Sequence, residues 1–86
     1  MNYAIMKRKG GEYMHRTFMG PDEESQSMAG LASNIGAELL LEGHVDLHLE
    51  FQKAVEIRKM IADAAEQANK DGHLDVRALE TKIAEL

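Results

Sequence analysis

The chain of 86 residues has no cysteine and no tryptophan, one proline, two tyrosines and two phenylalanines. Without cysteine there is no disulfide framework and no thiolate metal site to reinforce a small fold. With so few aromatics the core has to be assembled from Leu, Ile, Val, Met and Ala. A chain this short buries only about 60–65% of its unfolded surface. Such a thin core makes self-association a natural way to gain burial. No apolar run approaches the ~20 residues of a membrane span, and the N-terminal residues lack the apolar core of a signal peptide. These absences lead to the expectation of a cytoplasmic protein with no membrane partner.

What is present is an uneven distribution of charge. The net charge is −5. Residues 1–20 carry Lys7, Arg8, Lys9 and Arg16 against the one carboxylate Glu12, a net +3, which leaves −8 on residues 21–86. A basic arm on an acidic body suits phosphates, an acidic protein surface or a second copy of the chain. No internal repeat or linker divides the sequence, so residues 1–86 are expected to form a single domain, with a basic arm over 1–20 and a helical body over 21–86.

In the arm, Tyr3 to Arg8 and Glu12 to Met19 flank Gly10-Gly11. A glycine pair supplies the positive-φ positions of a two-residue hairpin turn. That register sets Lys9 against Glu12, Arg8 against Tyr13 and Tyr3 against Phe18. From Pro21, helix-compatible at the first turn and followed by Asp22, Glu23 and Glu24, the positions Met28, Leu31, Ala32, Ile35 and Leu39 recur at helical spacing. Gly43 then stands where a helix C-cap is followed by glycine. Leu47, Phe51, Ala54, Val55, Ile57, Ile61, Ala64, Ala65 and Ala68 predict a second helix that Asn69 to Gly72 ends. Asp75 opens a third, with Leu74 touching Leu79 as a staple. The resulting expectation is a mainly α fold: an N-terminal β-hairpin, an antiparallel helical hairpin over 21–69 and a short C-terminal helix. The alternative is a small α+β fold with a third strand at 44–51, because Val45, Leu47, Leu49 and Phe51 alternate with polar residues there.

Three features of the sequence bear on chemistry. His44 and His48 are four apart and would share one face of a helix, as zinc ligands do, but no third histidine ligand is evident nearby; they are weak metal candidates. The residues around Gly72 resemble the middle of a calcium loop, yet Gln67 and Ala78 fall on its most demanding ligand positions. No nucleophile–base set and no phosphate-binding glycine loop is present. The sequence therefore predicts a non-enzyme without a cofactor. Its expected role is that of a protein–protein interaction module, an adaptor, regulator or inhibitor of a larger partner, acting as a homodimer or higher oligomer. Candidate contact residues are Lys7, Arg8, Lys9, Tyr13 and Arg16 of the arm, together with Leu40 and Leu41, since one neighbouring helix would not cover Leu39, Leu40 and Leu41 together. The alternative is binding of a nucleotide or short nucleic acid by the arm, with cations on phosphates and aromatic rings on bases.

Overall fold

The computed structural model describes residues 1–19 and 27–86; the expected helix start at Pro21 to Glu24 lies outside the described residues. The fold is α+β, not mainly α. In chain order the described elements are β1 (Asn2–Arg8), β2 (Tyr13–Phe18), α1 (Met28–Asn34), β3 (Ala37–His44), α2 (Phe51–Asp71) and α3 (Val76–Ala84). The strands form one antiparallel sheet in the order β2-β1-β3.

The hairpin forms as its glycines suggest, with a loop one residue longer than expected. Gly11 donates to Arg8 O at 2.8 Å and has φ +95°, while Arg8 N donates to Glu12 O. This is a three-residue loop closed by a glycine bulge. The extra residue shifts the register by one, so Lys7 faces Tyr13, Met6 faces Met14 and Tyr3 faces Thr17.

The larger correction concerns residues 21–43. The helical stripe Met28, Leu31, Ala32 and Ile35 is real, but Ile35 caps α1 and Gly36, at φ +67°, reverses the chain. The segment then returns as the edge strand β3, so the described residues of 21–69 do not form a helical hairpin. The third strand of the alternative is also misplaced, since only His44 of 44–51 belongs to a strand. Physically, a β-bulge hides β3 from a periodicity reading. Ile5 pairs with Leu41 and Met6 with Leu39, leaving Leu40 as the extra residue. The bulge interrupts strict alternation. Leu40 packs by Tyr13 and α2, Leu41 by Ile5 and Ile57, and Leu39 on the opposite face by Met6 and Ala32. Three consecutive leucines are covered from two sides of a sheet.

The two apolar layers follow. On one face Tyr3, Ile5 and Leu41 meet Ala54, Ile57 and Ile61 of α2 and Leu79 and Ile83 of α3. On the other, Ala4, Met6 and Met14 meet Met28 and Ala32 of α1. Ile57 and Ile61 are fully buried, and each such side chain contributes about 1.5–3 kcal/mol by leaving water. Gly43 is no helix cap: it lies in β3 opposite Tyr3, whose phenol occupies the space that a Cβ at position 43 would need. The ends of α2 and α3 match the sequence reading, with Gly72 left-handed at φ +74° after α2 and the Asp75 carboxylate accepting from Ala78 N at 3.0 Å.

Candidate functional site

Among the described residues, three surfaces hold side chains that could carry function. The first is the hairpin end, where Lys7, Arg8 and Lys9 line a groove of about 550 Å³ together with Ser33, Gly36, Ala37 and Glu38. The sequence-predicted cations are thus brought together with the turn that follows α1. Arg8 is shared with Glu12 at 3.9 Å, and the Lys7 ammonium sits 5.2 Å from the centroid of the Tyr13 ring. Tyr13 itself is buried against Ala65 and Ala68, so its ring is a floor for Lys7 and not a platform for a base. Arg16 stands apart from the groove and donates to His15 O at 2.9 Å. Leu41 is buried and Leu40 half-buried, both turned inward.

The second surface is the corner between β3 and α2. Asp46 Oδ1 accepts from His48 N at 2.8 Å and from Leu49 N at 3.2 Å, and Glu50 N donates to Asp46 O. These bonds fold 46–50 into a single turn. The two backbone N–H groups also hold the Asp46 carboxyl below its ordinary pKa, because they favour the charged form. At Glu50 the backbone (φ −132°, ψ 47°) breaks from helical values, and α2 starts one residue later. Asp46 therefore caps the turn that precedes the helix. The two histidines do not share a helical face: His44 ends β3, its Nδ1 2.6 Å from Asn2 Oδ1, and His48 lies in the turn. Among the described residues no group of three or more His, Cys, Asp or Glu side chains is arranged to hold a metal ion.

The turn has a consequence for the apolar side chains beside it. Leu47 points inward and packs on the main core, which sends Leu49 outward, where it is 84% exposed. The core stripe of α2 is Ala54, Ile57, Ile61, Ala65 and Ala68. Phe51 and Val55 stand to one side of that stripe and are 58% and 48% exposed. Next to Val55 a groove of about 400 Å³ continues along Gln52, Glu56, Lys59, Met60 and Asp63. Sequence reading placed Phe51 and Val55 on the core face. The signal that separates them was present, because the spacing 54, 57, 61, 65, 68 is complete without them.

The third surface comprises the two sheet edges, which differ. On β2 the outward N–H and C=O of Tyr13 are both taken by Asn69, with Tyr13 N donating to Oδ1 at 2.7 Å and Nδ2 donating to Tyr13 O at 2.9 Å. The amide of Asn69 thus acts as a short piece of strand and closes that edge locally. On β3 the pairing of Met1 with Val45 through both main-chain bonds fixes the alternation. Gly43 and Leu41 bond to β1, and Glu42 and His44 direct their N–H and C=O away from it.

No protein-family model, curated protein or solved structure matches the chain.

Proposed function

We propose that the protein is a non-enzymatic protein–protein interaction module, an adaptor or regulator that docks a larger partner through Leu49, Phe51 and Val55. The observation that carries this reading is the exposure of these three side chains within residues 49–55, where α2 begins. Exposed apolar side chains clustered beside polar ones, here Gln52, Glu56, Lys59 and Asp63, characterise binding sites more than bare surface. The occupant that fits is a protein segment presenting an apolar side chain to Val55 and Met60, with polar groups for the rim. The clear pKa displacements, at Tyr3 and Asp46 among the described residues, have structural causes in burial and turn formation. Self-association belongs to the same reading through a separate surface, the open edge of β3.

The test is to replace Leu49, Phe51 and Val55 together by Ser. Because all three are exposed, the melting temperature should change little. Binding to a partner captured by the wild-type protein, and then reconstituted from purified components, should weaken at least about tenfold. Equal affinity of the triple variant contradicts the assignment.

A phosphate-bearing ligand is the second reading, favoured by the meeting of Lys7, Arg8 and Lys9 in one groove. Glu38 in the same groove and the burial of Tyr13 favour a small anion over a stacked nucleic acid.

A further inference from the structure

The outer edge of β3 carries a second specificity, resting on the self-association part of the reading above and not on the apolar cluster. Glu42 and His44 are both exposed, and their main-chain groups point away from β1. Unpaired strand edges of this kind are templates for another strand. We propose that a second copy of this chain pairs there antiparallel, with Gly43 on the two-fold axis and Glu42 opposite His44 of the other copy.

The register follows from parity and charge. A shift by one residue would set the outward groups of one strand against the inward groups of the other. A shift by two in either direction places Glu42 against Glu42, or His44 against His44, across the axis. Pairing centred at Leu40 would run both bulges through the ladder, where the extra residue disrupts it. Centring on Gly43 keeps the ladder on the regular stretch from Leu41 to Val45. It also sets a carboxylate opposite an imidazole twice, once on each side of the axis.

The local side chains agree with that arrangement. His44 Nδ1 lies 2.6 Å from Asn2 Oδ1, leaving Nε2 for the Glu42 carboxylate of the other copy. A notch of about 340 Å³ beside the edge, lined by Asn2, Ser27, Met28, Glu42, Gly43 and His44, gives the incoming side chains room. The apolar side chains Leu40 and Leu41, expected from sequence to form an interface, take no part. The main chain that carries Glu42 and His44 does.

Sedimentation of the full chain tests this. Wild type should reach twice the 9.6 kDa of one chain as concentration rises to the millimolar range. Glu42→Pro deletes an outward N–H that β1 does not use, and edge strands accept proline. It should sediment as a monomer with its circular dichroism unchanged. Should that variant lose its fold, Glu42→Lys and His44→Glu serve instead: each alone should yield monomer, and the double exchange should restore the dimer. A wild type that remains monomeric throughout, a dimeric Glu42→Pro, or a double exchange that fails to recover would each overturn the proposal. None of these outcomes bears on the Leu49–Phe51–Val55 cluster, whose test reads affinity for a different protein.

Discussion

Asn69 is the residue on which the closed edge of the sheet depends. Its amide satisfies a donor and an acceptor that the end of β2 would otherwise present to solvent. Asn69→Ala removes both bonds and should cost about 1–3 kcal/mol in urea unfolding; a loss below about 0.5 kcal/mol would show that water replaces them. Tyr3 makes a second residue-scale statement. Burial, and then the neighbouring charge of Glu80, raise its phenol above the ordinary value of about 10. A raised folded value means that the unfolded chain ionises first. The stabilising contribution is complete below about pH 10 and is lost as pH rises from there through the folded value. Denaturant midpoints should therefore decline above about pH 10 in the wild type and decline less in Tyr3→Phe. Identical alkaline profiles for the two proteins would remove Tyr3 from the account.

At the scale of elements, what was legible depended on whether local signals stood alone. Gly10-Gly11 announced the hairpin, although not its third loop residue. Gly72 and Asp75 announced the ends of α2 and α3, because a left-handed glycine and an aspartate cap act within a single turn. β3 was not legible. Its alternation is broken at Leu40, and the apolar spacing of the seven-residue α1 runs on into Leu39 as though the helix continued. Gly36, which falls inside that spacing, is the discriminating residue, because its positive φ ends the helix. The site was legible in part. Lys7, Arg8 and Lys9 do line one groove and Arg16 does not, whereas Phe51 and Val55 were hidden in a helix face drawn too broadly and Leu49 in the alternation over 44–51. Alternation over 44–51 reflects a strand end, a capped turn and a helix start placed in succession, which no single period describes.

At the scale of the whole molecule, the described residues form a three-stranded sheet with α1 on one face and α2 and α3 on the other. That arrangement resolves the shortage of core-forming residues seen in the composition, since two thin apolar layers share β1 between them. It also leaves Leu49, Phe51 and Val55 exposed where α2 begins and turns the main-chain groups of Glu42 and His44 away from β1. The central claim is that Ala37 to His44 is an edge strand, bonded to β1 on one side and, among the described residues, open on the other. Residue-resolved amide hydrogen exchange, followed from dilute to concentrated solution, tests it most directly. In dilute solution the amides of Leu41 and Gly43 should exchange slowly while those of Glu42 and His44 exchange fast, and the latter pair should slow as concentration rises. Uniform protection from 37 to 44, as a helix would give, would contradict the strand, and fast exchange of Glu42 and His44 at every concentration would contradict its pairing with a second copy.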